Sequence, residues 1–311
     1  MTDVMGTSNA ISYTPQIMAN QMISNINASE SEQATWEEQL STGNVINQPS
    51  DNPAGAAELL QLNANLSRAQ QYTANANDGA GWLSLGNSTM NSIISTLQQA
   101  QQAVESVSGA TLSSTPSALQ ALADQVASAR TQLINLGNTT YGGQAIFAGT
   151  GNVSAAYDQN GNYLGGGSAP TRTVAPGVRV AVGLTGEQVF GSGPTGLLGS
   201  DGVLAQIASD LQTGTSASLA NVEGPDLQAL SSAIAQVSAQ AAQMGANYQQ
   251  VQAFATQASN SQQVLQTQMS QMDSTNVAQV TTQLTESQQA FEAALWATSQ
   301  LSQDSLVQFL G

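Results

Sequence analysis

The sequence predicts a mainly α-helical protein: an elongated rod of packed helices, a coiled coil or helix bundle, with a small β-hairpin domain inserted at its tip and both chain ends together at the other end. Three observations predict this. From Leu227 to Met272 apolar residues recur at alternating steps of three and four. Only 5% of residues are aromatic and 8% charged, and Gln, Ser, Ala, Asn and Thr fill much of the remainder. Such a chain must bury many small side chains between helices, since it lacks the rings on which most globular cores rest. Between Tyr141 and Gly196, glycine becomes dense and helical spacing stops.

The N-terminal helix carries the seam Met22, Ile26, Ser29, Gln33, Trp36 and Leu40, polar in its middle. The run Leu40–Ala57 breaks the helical pattern, and Ser50 or Asp51 is placed to cap a helix beginning near Pro53. That helix reaches the seam Leu83, Met90, Ile94, Leu97 and Val104. Pro116, among Ser113, Ser114 and Ser117, marks a turn into a third helix with Leu119, Leu122, Val126, Ala129, Leu133 and Leu136 on one face. Tyr157–Tyr163 predicts a hairpin turning at Asn160-Gly161, and Thr171–Val182 a second turning at Pro176-Gly177, with Val178, Val180 and Val182 on one face.

The strongest helical signal follows. Leu227, Leu230, Ile234, Val237, Ala241, Met244, Tyr248, Val251, Ala255, Ala258, Gln262, Leu265, Met269 and Met272 form one seam with a single amide in it. The last helix has a weaker seam: Val277, Val280, Leu284, Ser287, Phe291, Ala294, Thr298 and Leu301, then the apolar end Leu306, Phe309 and Leu310. Burying one aliphatic side chain contributes about 1.5–3 kcal/mol. Seams interrupted by Ser, Gln and Thr therefore stabilise less per turn, and both end helices are expected to depend on neighbours for their order. The chain thus divides into terminal helices (1–40 and 277–311), a helical rod (41–140 and 197–276) and a β-rich insertion (141–196).

Composition narrows function. Four arginines stand against 20 acidic residues, for a net charge of −16. Scattered as Arg68, Arg130, Arg172 and Arg179, they cannot neutralise a row of phosphates or an anionic membrane surface. The absence of Cys, His and Lys removes thiolate, imidazole and Schiff-base chemistry and the usual zinc ligands. Carboxylate hydrolysis is what remains, through Asp51 with Asp78 or Glu37 with Glu38, but nothing places such a pair around one cleft. Asp158-Gln-Asn160-Gly161-Asn162 approaches a calcium-loop pattern and lacks its later Glu. No catalytic, metal or cofactor site is expected. No secretory signal and no transmembrane helix are expected either.

Several stretches resemble one family. Leu40-Ser-Thr-Gly-Asn-Val-Ile-Asn47-Gln-Pro49-Ser50-Asp51-Asn-Pro53-Ala is similar to the loop by which a flagellin-family terminal helix turns into the rod. Asn75-Ala-Asn-Asp78-Gly79 with Trp82-Leu83 resembles the family's next stretch. Tyr141–Thr150, Gly186–Phe190, Met244–Tyr248 and the end Ser305–Gly311 extend the match. Asn44 stands where the family has a basic residue, and Asp273 alone is kept of the acidic residues before the last helix. The resemblance implies a structural subunit of the bacterial flagellum, of the hook–filament junction rather than the filament. It is implied to be exported unfolded by the type III apparatus with a cytoplasmic chaperone, and to form a ring of copies outside the cell between hook-associated protein 1 and flagellin. The implied polymerisation interface is Met22, Ile26, Trp36, Leu40, Val280, Leu284, Phe291, Leu295, Leu301, Leu306, Phe309 and Leu310. The alternatives are a filament flagellin, a secreted coiled-coil effector and a carboxylate hydrolase.

Overall fold

The computed structural model describes residues 15–108, 115–151 and 153–310; the side chains of 15, 16, 18, 19 and 301–310 lie outside that description. Eight α-helices and two small antiparallel sheets make up the described chain: α1 (Pro15–Thr42), α2 (Pro53–Ser108), α3 (Pro116–Gly137), β1 (Thr140–Tyr141), β2 (Gln144–Ala145), β3 (Thr171–Ala175), β4 (Val178–Ala181), α4 (Gly186–Phe190), α5 (Val203–Thr213), α6 (Ser216–Asn221), α7 (Leu227–Asp273) and α8 (Val277–Leu310). They divide into two compact units, one of residues 67–262 and one drawn from the chain ends, up to 66 and from 263 onward.

Residues 67–262 share one apolar core. On α2 it takes Leu83, Met90, Ile93, Leu97 and Val104, and on α3 Ala123, Val126 and Leu133. On α7 the buried residues are Leu230, Val237, Met244, Val251 and Ala258, one every seventh position. The intervening seam positions, among them Ile234 and Tyr248, are half-buried. Beyond Ala258 the seam changes character: Gln262 donates its amide to Thr73 Oγ1 at 2.7 Å, and Leu265, Met269 and Met272 are half-buried. The expected continuous burial to Met272 therefore ends near the amide that interrupts it.

α3 packs on α5, a helix that the sequence patterns above do not separate from the rod. α6 runs into α7 through one wide turn, Val222–Asp226. Pro225 lies in this turn and lacks the amide that the regular ladder needs.

The second hairpin forms as its turn chemistry predicts. Thr171 pairs with Ala181, Arg172 with Val180, Thr173 with Arg179 and Ala175 with Val178, Val174 being the bulge. Gly177 has φ +72°, as the third residue of a type II turn requires. Tyr157 and Tyr163 form an isolated antiparallel bridge around the Asn160-Gly161 turn. Gly161 cannot be replaced there, since a Cβ would lie 1.9 Å from the Leu198 carbonyl oxygen.

The insertion shares the helices' core. Phe147, Phe190 and Tyr157 pack edge to face, at 6.1 and 5.4 Å between centroids. Asn138, just past α3, takes the Tyr157 amide on Oδ1 (2.8 Å) and donates to the Tyr157 carbonyl (2.9 Å), as a strand would. Arg130 donates through Nε to the Leu198 carbonyl at 2.8 Å and through Nη2 to that of Asn160.

α2 and α7 grip the second hairpin from two sides. Asn75 Nδ2 donates to the Thr173 carbonyl at 2.9 Å, and Arg172 Nε to Asp78 Oδ2 at 2.7 Å. The Arg172 guanidinium also lies 5.8 Å from the Trp82 ring. From α7, Asn247 Nδ2 donates to the Ala181 carbonyl at 3.1 Å. Two family-like stretches, Asn75–Trp82 and Met244–Tyr248, thus hold the hairpin.

Candidate assembly interface

The terminal unit is organised around two paired turns. α1 ends at Thr42 and α7 at Asp273, and the segments after them bond to each other. Val45 N donates to the Asp273 carbonyl (2.7 Å), Thr275 N to the Gly43 carbonyl (2.9 Å), and Asn44 bridges to Ser274. The Asp273 side chain accepts from Ile46 N at 2.9 Å. This retained acidic residue therefore acts within the subunit, tying the first interhelical turn to the last.

Within the family-like loop, Asp51 Oδ2 accepts from Asn47 N (3.0 Å) and Gln48 N (2.8 Å). Asp51 braces the loop and does not cap α2. Nor does Ser50. The cap is Asn52, whose Oδ1 accepts from Gly55 N at 3.0 Å, one residue beyond the expected pair. Pro53 opens α2, Asn47 donates its amide to the Asn44 carbonyl at 3.2 Å, and Pro49 is exposed. The suggested carboxylate pairs are occupied otherwise: Asp78 holds Arg172, Asp51 holds backbone amides, and Glu37 and Glu38 are exposed on α1. Asp158 accepts from the Asn160 and Asn162 amides and the Asn162 side chain, which hold its carboxyl below the usual carboxylate range.

From the paired turns α1 and α8 run antiparallel and pack together. Met22, Ile26, Trp36 and Leu40 on α1, with Leu284 and Phe291 on α8, are half-buried, and Val280 is buried. Polar residues share the seam: Ser29 and Gln33 are half-buried, Ser287 is buried, and the Ser287 hydroxyl has no partner within the described residues. Val277, expected in the seam, is 60% exposed. Leu295 is 46% exposed. Leu301, Leu306, Phe309 and Leu310 lie on α8 with side chains outside the described residues.

The unit leaves apolar surface uncovered. Of nine large hydrophobic side chains exposed among the described residues, eight belong to it, including Ile17, Ile23, Leu60, Val264 and Trp296. They are spread over α1, α2, α7, α8 and the turn after α1. Sequence reasoning missed Trp296, whose signal is a large ring off the apolar seam of an amphipathic helix.

The bacterial flagellin N-terminal helical region matches residues 14–152, and the flagellin C-terminal helical region matches 227–310. The chain belongs to the flagellin family. It is 32% identical over 182 residues to flagellar hook-associated protein 3 of Escherichia coli (strain K12), across 58% of this chain and 57% of that protein. With the protein of the same name from Salmonella typhimurium (strain LT2) it shares 34% over 179 residues, 57% of this chain and 56% of that one. The matched stretch spans little more than half of either relative. The crystal structure of Bacillus cereus FlgL shares the fold, with a TM-score of 0.56 and 19% identity over 68% of this chain and 99% of that one. Among the described residues of this family member, no helix is long and apolar enough to cross a membrane.

Proposed function

We propose that this protein is a subunit of the hook–filament junction, joining hook-associated protein 1 to the flagellin filament. Copies form a ring outside the cell after export through the flagellar type III apparatus, with a cytoplasmic chaperone guarding the C-terminal helix before export. Its role is interfacial and involves no reaction. Residues 1–40 and 277–311 form the polymer core, 41–140 with 197–276 the rod around it, and 141–196 the outward insertion.

One observation carries this reading: the chain ends pair through a polar-diluted seam while leaving Ile17, Ile23, Leu295 and Trp296 exposed. Each aliphatic side chain that a neighbour buries contributes about 1.5–3 kcal/mol to assembly. The likeness to proteins named flagellar hook-associated protein 3 supports the junction over the filament. The test is a clean deletion examined by electron microscopy. Intact hooks without filaments, with flagellin shed into the medium, are expected. Filaments of normal length and number on the deletion strain would overturn the reading.

A further inference from the structure

The terminal unit contains no Lys or Arg; all four arginines fall within 67–262. Eleven of the 20 acidic residues lie in it, seven up to Glu58 and four from Asp273 onward. On α1, Glu30, Glu32, Glu37 and Glu38 are exposed, as are Glu286 and Glu292 on α8.

These carboxylates flank the uncovered apolar surface. Counted back from the Asn44–Ser274 bridge, Ile23 lies 21 residues along α1, and Leu295 lies 21 residues onward along α8. Equal rise in two antiparallel helices sets them level, and Trp296 follows about 100° further round α8 from Leu295. Their exposures are 54%, 46% and 68% for Ile23, Leu295 and Trp296. Ile23, Glu30 and Glu37 recur every seventh residue and so share one line along α1. Glu292 precedes Trp296 by four residues and neighbours it on the surface of α8.

We infer that the Ile23–Leu295–Trp296 face docks an amphipathic helical surface of a different chain, one whose apolar stripe is edged by Lys or Arg. Charge complementarity chooses the occupant. The terminal unit of a second copy would bring further carboxylates and no Lys or Arg, and like charges juxtaposed at an interface oppose association. A basic-edged helix covers the apolar side chains and compensates the charge in one contact. The inference rests on the reading of this unit as an assembly interface and names the chemistry of one partner. Contacts between copies in the ring then use other faces.

The test uses the full chain and two designed helical peptides with one Leu stripe, edged by Lys in one and by Glu in the other. In about 50 mM NaCl, the Lys-edged peptide should bind at least about tenfold more tightly than the Glu-edged one, and about 500 mM NaCl should erase most of that difference. Trp296→Ala should weaken Lys-peptide binding. Replacing Glu30, Glu37 and Glu292 by Gln should remove most of its salt dependence, with helical content unchanged by circular dichroism. Equal binding of the two peptides, no binding of the Lys-edged one, or binding indifferent to Trp296→Ala would overturn the inference. So would sedimentation showing that the chain self-associates through Trp296 at low salt. None of these outcomes changes the deletion phenotype, so the junction reading stands or falls separately.

Discussion

Residues 67–262 and the paired chain ends are written in much the same residues, yet they bury them differently. In the first unit, apolar side chains from α2, α3, α5, α7 and the hairpins converge on one core. In the second, α1 and α8 meet along a seam where Ser29, Gln33 and Ser287 take places, and large apolar side chains stay outside. The difference teaches that helical periodicity reports a face, whereas the composition of that face reports whether the partner is inside the subunit. A continuous apolar seam closes on its own chain; a diluted one with apolar residues left over is what the proposed assembly interface needs.

The largest effect should come from the self-sufficient unit. Phe147→Ala removes a fully buried ring stacked edge-on against Phe190 and should cost about 3–5 kcal/mol in a denaturant melt. Leu230→Ala should cost about 2–5 kcal/mol. Ile234→Ala, at a half-buried place in the same seam, should cost clearly less. Equal losses for the two would break the claim that every seventh residue of α7 carries the packing. Asn138→Ala strands the Tyr157 amide and carbonyl and should cost about 1–3 kcal/mol.

Several local elements are legible in the sequence. The α7 seam, the α3 face and the Pro176-Gly177 turn are local patterns, and each forms where its spacing places it. The half-buried residues of α1 fall on the seam Met22, Ile26, Ser29, Gln33, Trp36 and Leu40. Other features depend on distant partners. Asp273 reaches Ile46 across 227 positions, and no local pattern announces that. Asn52 caps α2 although Ser50 and Asp51 are equally good capping types; loop geometry makes the choice. α5 is within reach, since Val203, Leu204, Ile207, Ala208 and Leu211 line one helical face, but its glycine-rich approach masks it. On the candidate interface, the seam residues are legible and Trp296 is not, because a ring outside the seam has no periodic signature.

Smaller effects sharpen the comparison. Burial, and then the facing Asp210, raise the Asp226 carboxyl above its usual range, so folding favours its protonated form more than the unfolded chain does. The stability this contributes is complete below the ordinary carboxylate pKa and is lost as pH rises through the raised one. Asp226→Asn should therefore make the melt slightly firmer at neutral pH and flatten its acid dependence. Smallest of all, Trp296→Ala should move the monomer's stability by no more than about 0.5 kcal/mol, as for surface substitutions generally. The same variant should nevertheless impair filament formation, scored by microscopy of a complemented deletion strain. A destabilised monomer with normal filaments would reverse the roles assigned to the two units.

The most direct test is hydrogen exchange on the purified full-length subunit, verified as a monomer by sedimentation. If the chain ends depend on neighbours, amides of residues 20–42 and 277–300 should exchange fast while the α2 stretch 76–107, α3 and the α7 stretch 227–258 stay protected. Protection of α1 and α8 equal to that of α2 and α7 would show that the terminal helices are stable without a partner, and would contradict the account.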